Sequence, residues 1–274
     1  MAATRSRRRD DRRRGSDLGS RIAFGVPALA FAIAIVVAGG GWFAVGVALL
    51  GIACMHELLT AYEHTGPPKL AGFVGVAGIV VAAQLGDLDT VMLAFAGFFV
   101  VLFLITLATP RATGPGVAIV VLGVAWIGLA IGHAVLLRDL PHGGGIVADV
   151  LVGTFACDIA AYFGGRTFGV TPLAPRVSPS KTWEGLGIGI VVGVLGVWLA
   201  GTYQDWLSGT DALLLGVGVA VLGPLGDLFE SYLKRDAGIK DTGSMFGAHG
   251  GALDRLDAVL FTVVVGYWIW RALL

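Results

Sequence analysis

Charge is what this chain has least of. Only 14% of its 274 residues are Asp, Glu, Lys or Arg, against about 25% in an ordinary soluble domain. The alternation of apolar and polar faces that a soluble helix requires is missing too. Whole stretches carry almost no charge over ~20 residues, the length at which a helix crosses a hydrocarbon core of ~30 Å. With 56% hydrophobic residues and a mean hydropathy of +0.82, a soluble all-helical protein is excluded. Cysteine is nearly absent. Cys54 and Cys157 both lie in apolar stretches without a partner at metal-ligand spacing, which rules out a disulfide framework and leaves them as small buried residues. There is no internal repeat, so a transporter built from two related halves has little support.

What is present is a polytopic all-α pattern. Nine transmembrane spans are predicted, at 22–38, 41–60, 70–86, 90–108, 115–137, 144–164, 184–204, 211–233 and 254–273. Residues 1–21 form an arginine-rich tail with no apolar periodicity, expected to be disordered and cytoplasmic. It is read as a topology signal, with attraction to anionic headgroups as the other reading. The following apolar run is long and has no convincing cleavage site, which argues against a signal peptide. With nine spans and the tail inside, only Arg138 and Arg271 of the 19 lysines and arginines fall outside. That is the bias the positive-inside rule requires. The chain then divides into the tail, N-terminal transmembrane helices over 22–143 and a catalytic region over 144–274, with its loops 165–183 and 235–253 on the cytoplasmic side.

An ionisable residue inside a span costs at least ~2.5 kcal/mol, so each one calls for a reason. His56 and Glu57 lie in the second span, read first as an interhelical polar contact. Asp149 and Asp158 lie in the sixth. Asp158, Tyr162 and Arg166 recur every four residues and share one helix face, which suits either a cation site or an Asp–Arg pair. Asp227 and Glu230 lie in the eighth. Gly223 and Pro224 are expected to interrupt that span, with Asp227, Glu230, Ser231 and Lys234 following along one face.

The polar block Ser231–Asp257 has three parts. Lys234 and Arg235 form a basic cluster at a helix end. A glycine-punctuated loop follows, with Lys240, Asp241 and His249-Gly250-Gly251. Asp254 and Asp257 then stand one turn apart at the start of the last span. Carboxylates on neighbouring helices suit a hard divalent cation such as magnesium. Lysines, arginines and loop amides suit polyphosphate. Together they indicate metal-assisted phosphoryl or nucleotidyl transfer at the membrane surface. A positive-inside loop with helix-capping acids is the plainer explanation, but it does not require Asp227 inside a span.

This block resembles the signature of the phosphatidate cytidylyltransferases, the CDP-diacylglycerol synthases. Ser231, Lys234-Arg235, Lys240-Asp241, His249-Gly250-Gly251, Asp254-Arg255 and Asp257 match its pattern in order. Asp158-Ile-Ala-Ala-Tyr162-Phe-Gly164-Gly-Arg166 and Ser178-Pro-Ser180-Lys181-Thr182-Trp183-Glu184-Gly185 are similar to two further family segments. The resemblance is firm over 150–274; before that it rests on hydropathy and Glu57. Ala252 departs from it, where the family tends to place a larger aliphatic.

The resemblance implies transfer of a cytidylyl group from CTP to phosphatidate, giving CDP-diacylglycerol and pyrophosphate for phospholipid synthesis in the cell membrane. It implies that Asp227 and Asp254 bind Mg2+, supported by Asp241 and Asp257, with room for a second cation. Lys234, Arg235, Lys240, His249, Gly250 and Gly251 would face the triphosphate. Asp158, Arg166, Ser178, Ser180, Lys181, Thr182, Ser231 and Arg255 would serve substrate binding. The lipid bilayer is the setting, nucleic acid is not an expected partner, and a homodimer is an expectation of the family alone. A CTP-dependent lipid kinase, a cation-coupled transporter and a lipid-binding scaffold are the competing readings. The transporter accounts for the intramembrane acids but not for the dense phosphate-type loop.

Overall fold

The computed structural model of the chain describes residues 25–243 and 250–274. The arginine-rich stretch 1–21 and His249 lie outside them. Among the described residues nine α-helices follow in order: α1 (Gly25–Ala38), α2 (Gly40–Ala61), α3 (Lys69–Leu85), α4 (Leu88–Leu107), α5 (Gly114–Asp139), α6 (Gly143–Phe168), α7 (Trp183–Gly201), α8 (Gly209–Asp236) and α9 (Leu253–Leu273). Seven are long and apolar enough to cross a membrane; α1 and α3 are apolar but shorter. The helices coincide with the nine predicted apolar segments to within a few residues.

Interhelical hydrogen bonds gather the connections at two ends. At one end Tyr62 reaches Asp236 (2.9 Å), Thr113 reaches the Thr65 carbonyl, and Glu57 accepts from Ala252 (3.0 Å). At the other, Arg138 Nε donates to the Val36 carbonyl (3.0 Å), Trp270 Nε1 to the Pro141 carbonyl (2.8 Å) and Gln204 to Asp149 (2.8 Å). Consecutive connections therefore alternate between the ends.

Four helix starts are written in the sequence. Asp87 and Thr90 form a reciprocal capping box on α4, and Thr113, Thr182 and Ser208 cap α5, α7 and α8 with their hydroxyls. The backbone N–H and then the hydroxyl of Thr90 hold the Asp87 carboxyl below its ordinary range. The starts of α2, α3, α6 and α9 have no side-chain cap of this local kind. Ala252 precedes α9 and offers no side-chain cap.

Two expectations are corrected. Gly223-Pro224 does not break α8, which runs through both residues. Proline at 224 removes the N–H that would have bonded the Ala220 carbonyl, and neighbouring helices can re-satisfy such a group. Here Cys157 of α6 does so, its thiol lying 3.6 Å from the Ala220 oxygen. The connection 165–183 is not an irregular loop either. α6 extends to Phe168, and the rest folds into an antiparallel hairpin of β1 (Pro172–Ala174) and β2 (Ser178–Thr182), with Pro172 opposite Thr182. Its turn closes by a bond from Val177 N–H to the Ala174 carbonyl (3.1 Å). Pro175 occupies the second turn position, where its fixed φ belongs.

The hairpin is held over the end of α7. Glu184 in the first turn of α7 accepts the Val170 and Thr171 amides at 3.1 Å. Below it α6 and α7 approach backbone to backbone. A Cβ at Gly185 would come within 2.7 Å of the Ala161 carbonyl, and one at Gly189 within 2.8 Å of the Cys157 carbonyl. Small residues four apart permit such contact in membranes. Gly189→Leu is accordingly expected to destabilise the detergent-solubilised protein by about 1–3 kcal/mol, the cost of overpacking a fixed contact. The midpoint of heat-induced loss of the monodisperse elution peak measures it.

Candidate active site

α8 lines up Asp227, Glu230, Ser231 and Lys234 on one face. α9 brings Asp254 and Asp257 into its first turns, and the two helices lie against each other. Phe229 is fixed by an edge contact with Trp126 of α5 (4.8 Å), which orients this part of α8. The result is a group of three carboxylates, Asp227, Glu230 and Asp257, whose ligand oxygens lie within 4.8 Å of one another. Glu230 is 1% exposed and Asp257 8%.

Carboxylates this close repel by on the order of 3 kcal/mol per pair at an effective dielectric of about 20. Positive charge must stand beside them. Lys181 from the hairpin contacts Asp227, and Lys234 contacts Glu230 and lies 2.8 Å from Asp254 Oδ1. Glu230 Oε1 is still buried without a hydrogen-bond partner among the described residues. A buried acceptor left open in this way fits a cation, and three converging carboxylate oxygens are the donor set of a hard divalent ion.

Of the four carboxylates assigned to a metal from the sequence, Asp227 and Asp257 belong to this group. Glu230 joins them, a residue the sequence placed on the same face without giving it that role. Asp254 stands beside the group with its oxygens engaged. Oδ1 meets Lys234, while Oδ2 accepts from Gly251 N–H (2.7 Å), Thr242 N–H (3.1 Å) and the Thr242 hydroxyl (3.0 Å). Asp241 is exposed on the connection after α8 and outside the group, as is Lys240.

Next to the carboxylates opens a cavity of about 460 Å3, within the range of small-molecule sites. Its polar lining is Asp158, Tyr162, Arg166, Ser180, Lys181, Thr182 and Asp227, and its apolar lining Ala161, Leu173, Leu186 and Pro224. Arg166 donates to the Tyr162 hydroxyl (3.2 Å), and no ion pair joins Arg166 to Asp158 among the described residues. The alternative of a structural Asp–Arg pair is thereby set aside. The carboxyl of Asp158 shares the cavity with Lys181 and Asp227.

Several predicted substrate groups have work inside the protein. The Thr182 hydroxyl caps α7 through Gly185 N–H (3.1 Å). The Gly251 amide is taken by Asp254, and Gly250 has φ +82° in a turn where a side chain would strike Asp254. Both glycines thus also serve the packing of this turn against Asp254 and Glu57. Arg235 ties the two connections together, donating to the Val177 carbonyl of the hairpin (3.3 Å) and to the Ile239 carbonyl (3.4 Å). Ser231 reaches Asp227 at 3.4 Å. Ser178 is half-buried on β2, outside the cavity lining, and Arg255 is exposed on the first turn of α9.

The residue most undervalued by sequence is Glu57. It is 6% exposed and accepts the backbone N–H of Ala252 (3.0 Å) and Leu253 (2.8 Å). It supplies the cap that α9 lacks, from a helix nearly 200 residues earlier; its charge inside an apolar run and its place in the family resemblance are the signals. His56 beside it is exposed and stacks on Phe73.

The description of the cytidylyltransferase family matches this chain over residues 19–273. The phosphatidate cytidylyltransferase of Mycobacterium bovis is 32% identical over 282 residues, covering 96% of this chain and 90% of that protein. Its namesake from Mycobacterium tuberculosis is 32% identical with 96% and 84% covered. That of Brucella suis is 33% identical over 232 residues, 84% of each. Because the match runs through the helices that frame the site as well as those that carry it, the chain belongs to the cytidylyltransferase family.

Proposed function

We propose that this chain transfers the cytidylyl group of CTP to phosphatidate, releasing pyrophosphate and leaving CDP-diacylglycerol in the membrane. The observation that carries the reading is the junction at Lys181. This lysine lines a cavity that has both polar and apolar lining residues, and pairs with a carboxylate of the three-acid group. A substrate that is phosphate at one end and hydrocarbon at the other fits such a place. The names of the relatives agree with it.

An oxygen of the phosphatidate phosphate forms a bond to the α-phosphorus of CTP, and the bond from that phosphorus to the β-phosphate oxygen breaks. The attacking phosphate is already anionic at neutral pH, so no strong base is needed. The protein's task is positioning and charge neutralisation. Asp227, Glu230 and Asp257 would hold a Mg2+ ion, which neutralises phosphate charge as the bonds exchange. Asp254 stays with them, keeping Lys234, Thr242 and Gly251 in place. Lys181, Arg166 and Ser180 meet phosphate oxygens from the hairpin side. The diacylglycerol moiety lies along Ala161, Leu173, Leu186 and Pro224. The arginine and lysine distribution supports a cytoplasmic placement of this end of the molecule, where CTP is available.

Purified protein with CTP, Mg2+ and phosphatidate is expected to yield pyrophosphate and CDP-lipid in equal amounts. CDP together with a phosphorylated lipid would show a kinase instead, and no turnover would leave a transporter or scaffold. Asp257→Asn is expected to lower kcat at least about 100-fold, the scale on which electrostatic stabilisers of a transition state act, with the elution profile in detergent unchanged. Lys181→Ala is expected to lower kcat/KM by about 10- to 100-fold, the worth of one hydrogen bond to a charged group; steady-state kinetics at varied CTP and phosphatidate measure it.

A further inference from the structure

The start of α9 is placed by another part of the chain. Ala252 and Leu253 point their N–H groups at the two oxygens of Glu57, 3.0 Å to Oε1 and 2.8 Å to Oε2. The Thr242 hydroxyl lies 3.4 Å from the same Oε2. Gly243 and Gly251 close on the carboxylate from both sides, since a Cβ at either would overlap Glu57. A buried carboxylate at a helix N-terminus is favoured by the unpaired N–H groups and the dipole there. Here it comes from α2, so it also fixes α9 against α2.

The same end of α2 holds α8. The Tyr62 hydroxyl lies 3.0 Å from the Leu233 carbonyl and 2.9 Å from Asp236 Oδ2. Burial, and then the Asp236 carboxylate, raise the Tyr62 pKa well above its ordinary value, so the group stays a donor. Leu233 is one residue before Lys234 and one turn beyond Glu230. Leu253 is one residue before Asp254 and one turn before Asp257. α2 thus grips each of the two carboxylate-bearing helices beside its acids. Neither Glu57 nor Tyr62 lines the cavity or belongs to the three-carboxylate group.

We infer that α2 is a brace for the active site, with Glu57 and Tyr62 as positioning residues that set where Asp254 and Asp257 stand relative to Asp227 and Glu230. Partners of this kind orient metal-holding groups without touching the metal. The inference rests on the cytidylyltransferase reading for its kinetic consequence and on the carboxylate group alone for its effect on cation binding.

Glu57→Gln, Glu57→Asp and Tyr62→Phe test it in the full-length, detergent-solubilised protein, with Glu63→Gln as the control. Glutamine keeps the volume of Glu57 but turns an NH2 group toward one of two backbone donors. Aspartate keeps the charge and loses one methylene of reach. Two quantities are read: the Mg2+ concentration that half-maximally raises the thermal midpoint without nucleotide, and kcat with KM for CTP. Glu57→Gln and Tyr62→Phe are expected to raise the half-saturating Mg2+ concentration and lower kcat by about 10- to 100-fold, with KM for CTP little changed. Glu57→Asp should recover part of both, and Glu63→Gln should behave as wild type. A Glu57→Gln protein with wild-type Mg2+ response and kcat overturns the brace. So does one that loses thermal stability alone, because that is all a merely structural contact would do. If Glu57→Gln does not fold, Tyr62→Phe decides, and a wild-type Mg2+ response in that variant overturns the inference. Wild-type protein that binds Mg2+ but forms no CDP-lipid would refute the cytidylyltransferase reading while the Mg2+ titrations still test the brace.

Discussion

Lys234 stands between Glu230, one turn back on its own helix, and Asp254 on the next, and the site is arranged around that contact. A charge at membrane depth is tolerated when it is paired or faces a polar cavity. One lysine here serves two acids on two helices, so α8 and α9 cannot slide past each other without leaving a charge unpaired. Lys181 makes the matching contact to Asp227 from the hairpin. Two ammonium groups therefore flank a three-acid group, and the remaining negative charge is what suits the site to a cation.

The apolar framework serves this arrangement by letting helices come close. Where α6 and α7 meet, glycines at 185 and 189 replace side chains with backbone contact. Close approach brings the cavity wall of α6, with Asp158, Tyr162 and Arg166, to the base of the hairpin that carries Ser180 and Lys181. Pro224 would cost α8 a hydrogen bond, yet the Cys157 thiol takes up the freed carbonyl. The proline keeps its place facing the cavity and the helix keeps its line to Asp227.

The helices and the identity of the polar block were legible because both are local. A run of about 20 apolar residues reports its own length against the bilayer, and the carboxylates at 227, 254 and 257 stand out in a chain with so little charge. The hairpin was not legible: residues 165–183 read as a loop, and two strands of three and five residues leave no periodicity to detect. The continuity of α8 was misread, because a proline's effect depends on whether a neighbour satisfies the carbonyl it frees. That Asp254 and Glu57 need the space left by the glycines at 250 and 251 was not legible either, because both acids come from outside the loop.

By itself the sequence determined that this is a bundle of membrane helices, and it set the candidate site in the last half of the chain. Composition and motif order suffice for that, since each is a property of consecutive residues. Only the tertiary structure decided which oxygens converge. Glu230 rather than Asp254 completes the three-acid group, and Glu57 caps a helix from the far half of the chain. Those outcomes depend on how distant helices rotate and cross, and helix packing is set by side-chain volumes and buried hydrogen bonds summed over the whole bundle.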